Sequence, residues 1–182
     1  KIQELISRSQ QEDAAAFSLL VSTFQPLVFR LAFRLLCDED EAKDMVQETF
    51  VKVWLALGKY NGECRFSTWI YKITCNTCYD RLRSLYHSPL DNEADYSVSV
   101  NISSDDNVEL AVVNKQLREL ILRYTDELSP RQRLIFTLRD IEELDVPEVQ
   151  TITGLSAGII KTTLYLARKN IRNKMNQIDA GL

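Results

Sequence analysis

The chain of 182 residues has a net charge of −4, with 45% hydrophobic and 26% charged residues. Its length permits one domain or two small ones, and its charge argues against a uniformly basic nucleic-acid-binding protein, although local basic surfaces can persist under a negative average. No apolar run approaches the ~20 residues that span a bilayer, and the opening KIQELISRSQ does not predict a signal peptide. We therefore expect a cytoplasmic protein without direct membrane insertion.

The few cysteines and the single histidine restrict the chemistry that the chain can perform. Four cysteines are too few for a disulfide framework in a chain of this length, which favours a reducing compartment. No nucleophile motif surrounds His87, and no glycine-rich loop is present to hold a phosphate. The sequence therefore predicts a protein that is not an enzyme and needs no cofactor.

The chain has only five Gly and four Pro and many helix-forming residues, which predicts an all-α fold. Residues 12–37 are expected to be helical, with Pro26 opening the second of two consecutive helices because proline is poorly tolerated within one. Leu and Phe residues follow Pro26 on most sides of the helix, as expected of a central core element.

The next helix is predicted from about Glu39 to Leu57, with Asp38, Glu39 and Asp40 favourably placed at its N-terminus. Its buried stripe consists of Met45, Val46, Phe50, Val53, Trp54 and Leu57. A second face repeats at steps of three or four residues and consists of Asp40, Asp44, Gln47, Glu48 and Val51. This face is either a solvated polar surface or a docking surface for a basic, helical partner.

Gly58 and Gly62 predict a break, after which Ser67 or Thr68 can cap a helix that ends near Tyr86. Two faces of that helix are apolar. A third combines cations, an amide and aromatic rings, and consists of Lys72, Asn76, Tyr79 and Arg83, flanked by Trp69 and Asp80. With the loop aromatic Tyr60 nearby, this face suits single-stranded nucleic acid, because rings stack on bases and cations follow phosphates.

Cys75 and Cys78 lie on an apolar strip of the same helix. Together with Cys64 and His87 they could form a four-ligand metal set, and as a pair they could sense redox state. Their position within a helix, rather than in a turn, instead favours buried core residues.

Residues 88–107, SPLDNEADYSVSVNISSDDN, contain no Lys or Arg and no helical period, which predicts a linker between two domains. The linker is either a solubilising tether or an acidic segment that lies in a positively charged nucleic-acid channel.

A second domain follows, beginning with a helix over residues 108–125. Ser129-Pro130 and Asp145-Val146-Pro147 each predict a helix start. Gly154-Leu155-Ser156 predicts a tight turn before a last helix that runs from Ala157 to about Met175, which is the pattern of a helix-turn-helix. Residues 161–174 hold five cations and no acid, so we expect this helix to bind duplex DNA.

Taken together, these segments resemble bacterial RNA polymerase sigma factors of the extracytoplasmic-function (ECF) group. DEDEAKDMVQETFVKVW resembles the segment that docks on the clamp helices of the polymerase β′ subunit. YNGECRFSTWIYKITCNTCYDRLRS resembles the segment that melts the promoter and reads its −10 element. LSPRQRLIFTLRDIEELDVPEVQTITGLSAGIIKTTLYLARKNIR resembles the helix-turn-helix domain that reads the −35 element.

The resemblance implies a transcription initiation factor with two helical domains, over residues 1–87 and 108–182. Its implied partners are promoter DNA, core RNA polymerase (β′ clamp helices and β flap) and an anti-sigma protein. Core polymerase would be bound by Asp40, Asp44, Gln47, Glu48 and Val51. The −10 element would be bound by Tyr60, Arg65, Trp69, Lys72, Asn76, Tyr79, Asp80 and Arg83, together with the loop from Ala56. The −35 element would be bound by Ser156, Lys161, Thr162, Tyr165, Arg168, Lys169 and Arg172.

One departure from the family pattern affects the last helix. Where the family often has Ser-Arg and His-Arg, this chain has Thr162-Thr163 and Tyr165-Leu166. Two cations are therefore missing, which predicts a weak or unusual −35 preference with a flatter dependence on salt. A standalone helix-turn-helix regulator, with a ligand-binding or dimerising first domain, is the alternative.

Overall fold

The computed structural model describes residues 1–86, 119, 123–125 and 127–180, with side chains to residue 177. Within that part of the chain all regular structure is helical, which confirms the predicted fold class. The helices are α1 (Ile2–Ser9), α2 (Ala14–Leu36), α3 (Glu39–Ala56), α4 (Phe66–Tyr86), α5 (Pro130–Phe136), α6 (Val146–Thr153) and α7 (Ala157–Ala180). The predicted linker and most of the predicted helix over residues 108–125 lie outside the described residues.

Side-chain caps fix where four of these helices begin. Asp13 accepts a hydrogen bond from a backbone amide three residues further on, at 3.0 Å, and Asp38 does so at 2.9 Å. Ser129 and Asp145 each form a reciprocal capping box and are followed by a proline in the first turn. The predicted starts of α3, α5 and α6 are confirmed, because each cap satisfies an amide that the helix itself leaves unpaired.

Pro26 does not open a second helix, contrary to the prediction. It lies within α2, which runs unbroken through 23 residues. Both Pro26 and Ser22, whose carbonyl loses its helical partner, are exposed, so water can hydrogen-bond the freed carbonyl. Burial of Leu20 and Phe24 before the proline, and of Val28 after it, holds both halves of α2 in one core.

Helix α4 begins at Phe66, earlier than the predicted caps Ser67 and Thr68. The carbonyl of Arg65 accepts the first helical hydrogen bond, from the amide of Trp69 at 3.0 Å. Burial of the Phe66 ring fixes this start, which side-chain capping propensity alone did not predict.

Helices α1 to α4 enclose the first of two hydrophobic cores. Its largest buried residues come from all four helices and the short 3₁₀ turn Leu57–Lys59 that follows α3. Helix α2 is the only helix in the described part of the chain that is long and apolar enough to cross a membrane, with a mean hydropathy of 1.5. Nine of its residues are instead buried against other helices, as in the central helix of a folded domain.

The second core is shared between the first four helices and the helices that follow residue 129. From the first group it includes Leu31, Leu35, Tyr71, Cys75, Cys78 and Leu82. From the second group it includes Leu134, Ile135, Leu138, Val149, Ile152, Ile160 and Leu164. The two helical groups are therefore packed together through one apolar strip of α4 and the last turns of α2.

Candidate nucleic-acid interface

The acidic side of α3 is exposed at each position that the sequence singled out. Asp40, Asp44, Gln47 and Glu48 are exposed, and Val51 exposes 58% of its surface. Leu55, one turn further on, is 76% exposed and extends the surface with a second apolar side chain. Sequence reasoning missed Leu55, although its four-residue step from Val51 was the available signal. We call these six residues the α3 face.

Tyr60 stabilises the loop between α3 and α4 through contacts of its hydroxyl and its ring. Its hydroxyl donates a 2.7 Å hydrogen bond to the carbonyl of Cys64, and its ring lies 5.1 Å from Phe66 and 5.3 Å from Trp69, between ring centroids. Tyr60 is only 9% exposed, so its ring offers no free face for a stacked base. The predicted stacking role of Tyr60 is therefore not available in this conformation, because the aromatic cluster occupies the ring.

The polar side of α4 brings the other predicted residues together. Lys72, Asn76, Asp80 and Arg83 are exposed at steps of four, four and three residues. Tyr79 is half-buried, with the Arg83 guanidinium 5.9 Å from the centre of its ring. Arg65 is exposed and Trp69 half-buried at the start of the helix. We call this set, from Arg65 to Arg83, the α4 face.

Two contacts hold α4 against α3. Arg81 donates two hydrogen bonds of 2.6 Å to the carboxylate of Glu41, and this pairing raises the pKa of Arg81. Lys52 donates a 3.2 Å hydrogen bond to the hydroxyl of Thr77. The two pairs are 40 and 25 residues apart in the chain, so no local pattern predicted them.

The thiols of Cys75 and Cys78 are buried, as predicted. Burial raises the pKa of both thiols, that of Cys78 to about 12, so they remain protonated at neutral pH. Protonated, buried thiols are poor metal ligands and poor nucleophiles. No cluster of three or more potential metal-ligating side chains occurs among the residues that the structure describes, which leave out His87.

Helices α6 and α7 form the predicted helix-turn-helix. Gly154 ends α6 in the left-handed conformation, with φ of 72°, and the hydroxyl of Ser156 accepts a 3.3 Å hydrogen bond from the amide of Ile159. The outer side of α7 is exposed throughout, with Lys161, Thr162, Tyr165, Arg168, Lys169 and Arg172. We call these six residues the α7 face.

An open groove of about 650 Å³ runs along the α7 face and is rich in cations. Its charged lining residues are Arg139, Lys161, Arg168, Lys169 and Arg172. Arg168 is not free, because it donates hydrogen bonds of 2.8 and 2.6 Å to Asp140, which raise the pKa of Arg168. This partner lies 28 residues away and was not predicted.

Comparisons with known protein families agree with this architecture. Residues 20–87 match the family model of Sigma-70 region 2, and residues 118–171 match that of Sigma-70, region 4. The chain is 30% identical to the ECF RNA polymerase sigma-E factor of Escherichia coli K12, over 97% of this chain and 95% of that protein. It is 29% identical to the RNA polymerase sigma-H factor of Pseudomonas aeruginosa, over 93% and 91%.

Two solved structures share the fold. One is CnrH in complex with the cytosolic domain of CnrY, with a TM-score of 0.65, 20% identity and coverage of 95% of this chain and 96% of CnrH. The other is the sigma factor RpoE of Bartonella quintana in complex with the anti-sigma factor NepR, with a TM-score of 0.60, 22% identity and coverage of 88% and 96%.

Proposed function

The chain belongs to the ECF group of RNA polymerase sigma factors and acts as a transcription initiation factor, and we propose that its three exposed faces divide the steps of initiation. The observation that supports this division is the bidentate contact between Arg81 and Glu41. It fixes the α3 face and the α4 face, which differ in charge and chemistry, on one rigid unit. Polymerase docking and strand capture are then mechanically linked.

We assign core polymerase binding to the α3 face. Its carboxylates complement a basic, helical partner such as the clamp helices of the β′ subunit, and steer the encounter at long range. Val51 and Leu55 supply exposed apolar area, which contributes affinity when it is buried. An acidic side with an apolar edge suits a protein partner better than it suits nucleic acid, which would be repelled.

The −10 strand is assigned to the α4 face. The amide of Asn76 can both donate and accept hydrogen bonds at the edge of an unstacked base. Arg65, Lys72 and Arg83 can follow the phosphates, while Trp69 lies at the loop end of the face as a stacking surface. These contacts would offset the few kcal/mol that extruding a base costs. Tyr60 supports the loop instead of stacking on the base.

The −35 duplex is assigned to the α7 face. Lys161, Lys169 and Arg172 are exposed cations for phosphates, and Thr162 and Tyr165 offer the apolar contacts that thymine methyl groups accept. With two family cations replaced, the contact to the −35 element is weaker and less salt-dependent than in relatives that carry both arginines. The α4 face then carries more of the promoter selectivity.

The remaining partners follow from membership of the family. Bartonella quintana RpoE is bound by the anti-sigma factor NepR in its solved structure, and we propose an anti-sigma protein for this chain also. The division into domains at residues 1–87 and 108–182, with an acidic linker that enters the polymerase channel, is part of the same proposal. The site of action is the cytoplasm, where RNA polymerase works.

Run-off transcription with purified core polymerase tests the whole assignment. Glu48→Lys should lower core binding, and the matched reversal Glu4→Lys, on the exposed side of α1, should not. Asn76→Ala should keep core binding but lose opening of the −10 region, measured by permanganate reactivity of unpaired thymines. A standalone regulator would instead bind duplex sites without polymerase and be indifferent to Glu48→Lys.

A further inference from the structure

The side chain of Gln10 connects the N-terminal helix to the loop that precedes the α4 face. Its amide nitrogen donates hydrogen bonds to the carbonyl of Leu57 at 3.0 Å and to the carbonyl of Tyr60 at 2.9 Å. These carbonyls lie at the beginning and just after the end of the 3₁₀ turn. A glutamine amide has two N–H groups, so both of its donors are used on this one turn.

Gln10 is itself held in place by its surroundings. Its backbone amide donates to the carbonyl of Ile6 at 2.9 Å, and Ile6 is 1% exposed within the first core. Two residues before it, Arg8 pairs with Asp13, the cap of α2, at 2.7 Å. The amide group therefore projects from a fixed platform rather than from a free chain end.

The turn that Gln10 holds carries exposed backbone and one exposed cation. Gly58 and Lys59 are exposed between the two carbonyls, while the far side of the loop is tied by the hydroxyl of Tyr60 to Cys64. With both sides tied, the loop presents a single shape to whatever binds beside α4. Preorganisation of this kind strengthens binding, because the loop loses less conformational entropy when the strand binds.

We propose that Gln10 is a positioning residue for capture of the −10 strand. The inference rests on the proposed role of the loop and the α4 face, and goes beyond it by giving α1 a function. Helix α1 precedes the segment that matches the region 2 family model, which begins at residue 20. Gln10 touches no DNA in this scheme and acts only through the shape of the turn.

Gln10→Glu is the sharpest test, because it preserves size, removes both donors and directs a carboxylate at two carbonyl oxygens. Gln11→Glu is the matched control, since Gln11 is the exposed neighbour. The probe is a fluorescent single-stranded oligonucleotide carrying the −10 element of a promoter that the holoenzyme transcribes in run-off assays. Holoenzyme formed with Gln10→Glu should bind it about tenfold more weakly, the loss expected for two hydrogen bonds of this kind.

The affinity of each variant for core polymerase distinguishes a positioning role of Gln10 from a general loss of structure. Gln10→Glu should bind core polymerase as wild type does, and Gln10→Ala should show an intermediate loss of strand binding. Unchanged strand affinity in Gln10→Glu, or an equal loss in core affinity and strand affinity, overturns the proposal. Failure of the wild-type holoenzyme to bind the strand would instead contradict the assignment of the α4 face.

Discussion

Arg81 on α4 and Glu41 on α3 form a bidentate ion pair, with both hydrogen bonds at 2.6 Å. The side chains are 38% and 25% exposed, so water screens the pair only in part. The pair lies between the residues assigned to polymerase and those assigned to DNA. It therefore fixes the angle between two functional faces in addition to stabilising the fold.

A double-mutant cycle of Glu41→Gln and Arg81→Met should give a coupling energy of roughly 1 kcal/mol, near the upper end for partly exposed pairs. The measurement is urea unfolding of the four proteins, followed by circular dichroism. In the holoenzyme, Arg81→Met should reduce −10 opening more than core binding, because it loosens the α4 face relative to the docked α3 face. A coupling energy indistinguishable from zero would contradict the proposed link.

Leu55 offers a test of the α3 face that does not alter the fold. It is 76% exposed, so Leu55→Glu should change the free energy of unfolding by no more than ~0.5 kcal/mol. If the residue is buried against polymerase, the same change should weaken core binding by about tenfold or more. Leu19→Glu is the matched control, because Leu19 is a 54% exposed leucine on a different helix, α2. Equal effects of the two substitutions on core affinity would contradict the assignment.

The cysteines should differ sharply in reactivity. Cys37, Cys75 and Cys78 are buried and Cys64 is half-buried, so Cys64 should react first with a thiol reagent in the folded protein. The raised pKa of Cys75 and Cys78 slows them further, since the thiolate is the reactive form. Mass spectrometry of the modified peptides at increasing urea gives the order. Rapid modification of Cys75 or Cys78 without denaturant would revive the thiol-sensor alternative.

A Cys75→Ser, Cys78→Ser variant tests the thiol-sensor alternative by its effect on transcription. It places two hydroxyls in an apolar core, so a loss of stability of a few kcal/mol is expected. Transcription that is independent of zinc and of redox state, measured below the new unfolding temperature, is the expected result. Cys64→Ser provides the control at a half-buried site.

Local patterns in the sequence correctly predicted those features of the fold that depend on a residue and its immediate neighbours. Asp38, Ser129 and Asp145 set helix starts by capping, and the exposed side of α7 followed from its helical period. Pro26 was misjudged because burial on both sides of it outweighs its local preference. The start of α4 was misjudged for a similar reason, since burial of Phe66 determines it.

What the sequence did not reveal depends on contacts between distant residues. The strip of Tyr71, Cys75 and Cys78 was correctly predicted to be buried, yet nothing in its spacing indicated that the second helical group covers it. The neighbours of Gln10 in the sequence do not distinguish it, and its role appears only when the carbonyls of Leu57 and Tyr60 are in place. Tyr60 was correctly placed in the loop, but its burial against Phe66 and Trp69 had no signal in the sequence.

Asp140 is predicted to limit DNA binding by holding Arg168 through two hydrogen bonds. Asp140→Asn removes the carboxylate charge, so Arg168 becomes available to a phosphate while the α7 backbone is unchanged. The slope of log affinity against log salt concentration should become steeper by about 0.9, the value for one additional phosphate contact. Fluorescence anisotropy with a −35 duplex over a range of salt concentrations measures that slope.

Glu143→Gln is the control, because it removes a carboxylate charge three residues from Asp140 at an exposed position, and it should leave the slope unchanged. Leu166→Arg offers the complementary gain, because Leu166 is 42% exposed and stands at a position where the family often carries an arginine. Both Asp140→Asn and Leu166→Arg should then steepen the slope, and the two changes should add, since they supply separate cations. A wild-type slope already as steep as that of an arginine-bearing relative would show that neither the held Arg168 nor the missing cations limit binding.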